Sequence, residues 1–176
     1  MTSFTVTRQI AIDAGHRVMT HGSKCRHLHG HRYTIEATCQ ADHLQTDGEQ
    51  SDMVLDFGFL KDVMMAEIDV PCDHGFLAHV GDTELLAMFC PESAAASVWQ
   101  DDIRRKVERD GFCLTSDTRM ATKLYVLDAN PTAEQLSRHW YRRLKPVVAA
   151  RSGGQARLLE IVVWETPLCR AAYRES

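Results

Sequence analysis

Cys25, His29 and His31 stand in the run Cys25-Arg26-His27-Leu28-His29-Gly30-His31, the densest group of nucleophilic and metal-ligating side chains in the chain. Residues two apart in an extended strand point to one face, about 7 Å from each other, so the His29 and His31 imidazoles can converge on one cation. His16 ends an earlier alternating segment in the parity of Ile10 and Ile12, and a hairpin can bring it opposite that pair. Three neutral imidazoles with no fourth protein ligand suit a catalytic zinc that keeps an open position. Cys25 as a fourth ligand would close the site; its place four residues earlier, out in the loop, instead leaves the thiol free to face a substrate. Lys24, Arg26 and a nearby dication favour its thiolate, which can act as nucleophile or general base.

Two further groups carry chemistry. Asp73-His74 follows Pro71-Cys72, and an adjacent carboxylate and imidazole can relay a proton to a thiol; a helix-terminal cap is the competing reading. Glu165 continues the apolar parity of Leu159, Ile161 and Val163. A carboxylate on such a face must be paired, by a cation at the strand end or by the N–H groups of a planar heterocycle. Cys39, Cys72, Cys90, Cys113 and Cys169 form no CxxC pair and receive no site role, nor do His21, His27, His43, His79 and His139.

The elements that must position these groups are legible in the periodicity. Residues 4–12 alternate as a half-buried strand, and Tyr33, Ile35, Ala37 and Cys39 mark the apolar face of a second, paired with the first across the loop 17–28. Asp56 is the expected N-cap of a helix with Leu60, Val63, Met64 and Ile68 on one face, ended by Pro71. A second helix is expected from Asn130 as N-cap and Pro131 at its first position, with the stripe Ala133, Leu136, Trp140, Leu144 and a stop at Pro146. Strands over 157–165 and 169–174 complete a β-β-α-α-β-β unit. The expected class is α+β, an antiparallel sheet with helices on one face. Residues 80–128, with a helix Val98 to Asp110 and a strand 123–127, read as an insertion into this single domain, packed on its edge.

Composition narrows the function classes. The 176 residues are 44% hydrophobic and 25% charged, near the globular average. Apolar runs are only a few residues long, so no membrane span is expected. Lys and Arg number 20 against 24 Asp and Glu, a net charge of -4, which disfavours nucleic acid as a partner. The N-terminus has no apolar signal region, so reduced cysteines and a cytoplasmic location are the expectation.

Taken together, these residues resemble the 6-pyruvoyl-tetrahydropterin synthase and 6-carboxytetrahydropterin synthase family. The blocks that carry the resemblance are Asp13-Ala-Gly-His16, Cys25 with His29-Gly-His31, Met53-Val-Leu-Asp-Phe-Gly-x-Leu-Lys61, Asp73-His74-x-x-Leu77, Asn130-Pro-Thr-Ala-Glu134, and Trp164-Glu-Thr166 with Tyr173. Only 80–128 lies outside them. The resemblance implies the tunnelling fold, a homo-oligomer whose sheets close into a barrel, and active sites between subunits. It implies His16, His29 and His31 as zinc ligands and Cys25 as proton acceptor. Asp73, His74 and Glu165 become its relay and pterin-anchoring partners, and Thr132 and Glu134 line the pterin pocket.

Three residues between the cysteine and His-Gly-His is the bacterial 6-carboxytetrahydropterin synthase spacing. The implied reaction converts 7,8-dihydroneopterin triphosphate to 6-carboxy-5,6,7,8-tetrahydropterin, acetaldehyde and triphosphate, toward queuosine and other 7-deazapurines. Arg17, Lys24, Arg26 and Arg32 are the nearby cations for a triphosphate. A pyruvoyltetrahydropterin synthase, a related pterin epimerase, and a non-catalytic pterin- or zinc-binding protein are the alternatives. The insertion is expected to act on assembly or access, with both its ends at the site.

Overall fold

In the computed structural model, which describes residues 3–175, β1 (Phe4–His16) and β2 (His29–Ala41) form the expected hairpin. They run antiparallel from Phe4 opposite Ala41 to His16 opposite His29. One parity is buried: Ile10, Ile12, Ala14 and His16 in β1, and Tyr33, Ile35, Ala37 and Cys39 in β2. β6 (Arg157–Thr166) pairs antiparallel with β2, and β7 (Cys169–Tyr173) with β6. A bulge opposite Thr38 and Cys39 turns Leu158 onto the face of Ile161 and Val163, so Leu158 joins the core where unbroken alternation would have used Leu159.

α1 (Phe57–Met64) opens as expected, with Asp56 accepting the Phe59 N–H at 3.0 Å. The helical path widens over Met65–Asp69 and closes with the short α2 (Val70–Cys72). α5 (Ala133–Arg151) lies beside it, burying Leu136, Trp140, Leu144 and Val148. Two expected boundaries move. The N-cap of α5 is Thr132, not Asn130, because the Asn130 amide is engaged by Thr20 at 3.1 Å and the Pro131 carbonyl turns to His16. Pro146 does not stop the helix. It lies on the exposed face, where the carbonyl it leaves free can reach water, and Val148 beyond it is buried in the core. Gly153 and Gly154, both at positive φ, end the turn after α5.

The sheet continues past β1 in a way the periodicity did not reveal. β3 (Gly75–His79) pairs parallel with β1, and β5 (Leu124–Leu127) parallel with β3. β4 (Phe112–Thr115) closes the edge antiparallel to β5. The order is β4-β5-β3-β1-β2-β6-β7, so the sheet is antiparallel on one side and mixed on the other. Nor are all helices on one face. Leu77, Tyr125 and Leu127 point into the core under α1 and α5. Ala78, Leu124 and Val126, of opposite parity, pack with α3 (Thr83–Phe89) and α4 (Ala96–Asp110) through Leu85, Leu86, Trp99, Ile103 and Val107. The segment 80–128 therefore adds two strands to the sheet and a second helical layer beneath them. Gly111, at φ 80°, ends α4 as expected.

Candidate active site and metal centre

His16 and His29 face each other across the open end of the β1–β2 ladder, and His31 faces Ala14 two residues further in. The three rings gather with centroids 4.4, 5.2 and 5.0 Å apart. One nitrogen from each lies within 4.8 Å of the other two, a set able to hold a metal ion. The backbone fixes two of the tautomers. His16 Nδ1 donates to the Pro131 carbonyl at 2.8 Å, and His29 Nδ1 to the His27 carbonyl at 2.8 Å, leaving both Nε2 lone pairs bare. Such second bonds orient metal-binding imidazoles.

Burial holds the His16 pKa down at about 4, against the opposing pull of the Pro131 carbonyl; the neighbouring His29 and His31 lower it further. Burial lowers His31 also, while Glu165 opposes it. Glu165 reaches the same point from β6, with Oε1 3.6 Å from His16 Nε2 and 3.9 Å from His31 Nε2. A neutral His16 makes no ion pair with it. Instead, bare ring nitrogens and a carboxylate oxygen converge, and His16 Nε2 is buried with no hydrogen-bond partner. A cation beside these electron pairs relieves their repulsion, and the three imidazoles are a donor set that fits one.

Tyr33 forms the floor, its ring 5.8 Å from His16 and 5.5 Å from His31, and its hydroxyl is buried without a partner. Burial pushes that phenol far up, with Glu165 and then Cys25 adding to the effect, so it stays protonated and able to donate. Cys25 lies half-buried in the turn Lys24–Arg26, and its carbonyl accepts the Val18 N–H at 2.7 Å. Tyr33 has the parity of His29 and His31, a signal available in the sequence but absorbed there into the apolar stripe.

Asp73 and His74 sit where α2 gives way to β3. Asp73 accepts the Asp13 N–H at 2.8 Å through one oxygen and His74 Nδ1 at 2.7 Å through the other. Asp73 is held below the usual carboxylate range: burial pushes up, but the Asp13 N–H and His74 outweigh it. His74, at φ 54°, is 79% exposed and presents Nε2 outward. Among the described residues, no hydrogen bond joins Asp73 or His74 to Cys25, Glu165 or the three imidazoles. Thr132 caps α5, accepting the Gln135 N–H at 3.4 Å, next to the carbonyl that holds His16; Glu134 is exposed on the first turn.

Of the nearby cations, Arg17 is engaged by Asp82, which caps α3 and accepts Arg17 Nε at 2.6 Å and Nη2 on its other oxygen. Arg32 donates to Asp13 at 2.8 Å. Lys24 and Arg26 make no ion pair among the described residues.

The family model for 6-pyruvoyl tetrahydropterin synthase matches residues 5–176. The chain belongs to this family. It is 32% identical over 163 residues to the 6-carboxy-5,6,7,8-tetrahydropterin synthase of Rickettsia bellii, covering 93% of this chain and 94% of that one. Its fold matches an uncharacterised protein of Wolinella succinogenes at TM-score 0.73 and 17% identity, over the whole of both chains. It also matches the 6-pyruvoyl tetrahydropterin synthase of Caenorhabditis elegans at TM-score 0.60 and 19% identity, over 100% of this chain and 98% of that one. These neighbours give the fold, the tunnelling fold of the family. The bounds of the family match enclose 80–128, the segment that adds β4 and β5 to the sheet.

Proposed function

We propose that the chain is a zinc-dependent 6-carboxy-5,6,7,8-tetrahydropterin synthase. With one water, it converts 7,8-dihydroneopterin triphosphate to 6-carboxy-5,6,7,8-tetrahydropterin, acetaldehyde and triphosphate, on the route to queuosine and other 7-deazapurines. The observation that carries this reading is that curated relatives 26–32% identical over most of the chain bear that enzyme's name. The three-residue gap between Cys25 and His29 favours the same member of the family over its pyruvoyl-forming sister.

His16, His29 and His31 hold the metal. Zinc bound there supplies Lewis-acid polarisation of the substrate's side-chain hydroxyls. Cys25 takes the proton from the adjacent C–H. Asp73 fixes His74 with Nε2 outward to relay that proton. Glu165 anchors the pterin by accepting its ring and amino N–H groups, Thr132 and Glu134 line the pocket, and Lys24 and Arg26 are the cations left for the triphosphate.

The exposed His74, with no hydrogen bond to Cys25 among the described residues, supports a homo-oligomer in which the relay of one copy serves the thiol of another. No described helix is long and apolar enough to cross a membrane, and all six cysteines are free thiols, which supports a cytoplasmic enzyme.

The test is incubation of the zinc-loaded protein with 7,8-dihydroneopterin triphosphate, followed by mass spectrometry and acetaldehyde trapping. The expected result is the 6-carboxy product with acetaldehyde. A 6-pyruvoyl product without acetaldehyde would assign the sister activity, and bound but unconverted substrate would make the chain a binding protein.

A further inference from the structure

The Asp73–His74 pair is held by a residue that the catalytic scheme does not use. Lys123, half-buried at the end of 80–128, extends its ammonium to the carbonyl oxygens of Val70 at 2.8 Å and Asp73 at 2.7 Å. With that bond every polar group of Asp73 is committed. Its N–H donates to the Asp69 carbonyl at 2.8 Å, its carbonyl accepts from Lys123, and its two carboxylate oxygens take Asp13 N–H and His74 Nδ1.

The backbone of the same residue closes the other side. The Lys123 carbonyl accepts the Phe76 N–H at 2.9 Å, and a Cβ built on Gly75 would lie 3.1 Å from that carbonyl and 3.0 Å from the Cys72 carbonyl. Between them stands His74, held in the left-handed region at φ 54° with its N–H on the Asp13 carbonyl at 2.8 Å. A non-glycine residue in that conformation persists only where its surroundings over-determine it.

A simple cap at the end of a helix explains the Val70 bond, since lysines often meet the last carbonyls. The Asp73 carbonyl, at the C-cap of α2, belongs to the same cap, and it is the carbonyl of the residue whose carboxylate orients His74. We propose that Lys123 is a positioning residue for the Asp73–His74 relay. Its two bonds fix the Asp73 backbone, the carboxylate follows, and the direction of His74 Nε2 follows from that. This rests on the reading of Asp73 and His74 as the proton relay.

The experiment is a double-mutant cycle on zinc-loaded full-length protein with 7,8-dihydroneopterin triphosphate as substrate. Lys123→Met is expected to lower kcat roughly 10- to 100-fold, the scale of a misplaced catalytic group, with KM, zinc content and thermal midpoint little changed. Lys123→Arg, which can still donate to two carbonyls, should recover most of the loss. In a His74→Ala background, Lys123→Met should lower kcat no further, because it acts only through His74.

Full additivity of the two losses, or a kcat unchanged in Lys123→Met while His74→Ala is impaired, would overturn the positioning role alone. An undiminished kcat in His74→Ala would overturn the relay reading and this inference with it. Should Lys123→Met not fold, Lys123→Ala, which donates to neither carbonyl and adds no apolar bulk at this half-exposed position, takes its place in the cycle with the same criteria.

Discussion

His16 Nδ1 stands 2.8 Å from the carbonyl oxygen of Pro131, 115 positions later in the chain. A carbonyl only accepts, so the ring's proton is on Nδ1 and the bare Nε2 turns toward His29 and His31. The segment entering α5 thus sets the tautomer of a histidine at the end of β1. Burial, which holds this pKa down at about 4, keeps the ring neutral and its lone pair free at neutral pH.

One zinc per chain is expected, and it should depend on all three imidazoles. Loss of an outer hydrogen-bonding partner typically weakens a metal site about 10- to 100-fold, and loss of a ligand should exceed that. His31→Ala and His16→Ala should therefore emerge from dialysis against a weak chelator with little zinc while the parent keeps its own. Metal analysis of the dialysed proteins decides this, and undiminished zinc in His31→Ala would remove that residue from the ligand set.

Cys25 and Glu165 should fail in different ways. Cys25→Ala removes proton transfer, typically worth about 10²- to 10⁴-fold in rate, and should leave zinc and pterin bound. Glu165→Gln can no longer accept N–H groups on both atoms, and a hydrogen bond to a charged group contributes about 1.5–3 kcal/mol, so pterin affinity should fall about ten- to a hundredfold. Zinc content of Glu165→Gln should match the parent, because three imidazoles remain. Titration calorimetry with a pterin and metal analysis of the same samples separate the cases; zinc loss in Glu165→Gln would make this carboxylate a ligand.

The hairpin and its histidines were legible because strand alternation has a period of two and nothing interrupts it between Ile10 and His16 or between His29 and Cys39. Glu165 was legible from the parity of Ile161 and Val163, which lie past the bulge beside Leu158, although the β6–β7 register shifts at Glu165 itself. What could not be read was pairing between distant segments. β3 and β5 are short, and β5 is buried on both faces, so it shows no alternation; its parallel pairing leaves no turn signature. Hence Tyr125 and Leu127 read as part of an insertion packed on the domain edge, although both lie in the main core. Lys123 and Asp82 were invisible for a related reason, as each contacts a site segment across the sheet and carries no local motif.

Asp82 is 4% exposed and ties the insertion to the strand end that bears His16. It accepts two Arg17 donors and the Leu85 N–H at 3.2 Å. Asp82→Ala removes a helix cap and leaves the partly buried Arg17 guanidinium with only the exposed Glu84, 3.8 Å away, so a loss of about 1–3 kcal/mol is expected. Urea unfolding with an unchanged slope and a lowered midpoint would show it, whereas a shift within experimental scatter would mean that Arg17 finds another partner.

His139 should give the fold part of its acid sensitivity. The Tyr125 hydroxyl, its pKa pushed far up by burial, shares a hydrogen bond of 2.7 Å with His139 Nε2. Burial brings the His139 pKa down to about 4, and Arg143, Arg142 and Arg138 lower it further. The unfolded chain, with an ordinary histidine near 6.5, takes up the proton first as pH falls. Stability from this group is therefore complete above about pH 6.5, drains away between there and about pH 4, and changes no more below; the full span is about 3 kcal/mol. His16 adds a slope of the same sign in metal-free protein, so the comparison is with His139→Gln, whose amide can still bond the Tyr125 hydroxyl but does not titrate. Urea midpoints between pH 7 and 4 should fall less steeply in His139→Gln than in the parent, and parallel curves would show that His139 is protonated in the folded state at the same pH as in the unfolded chain.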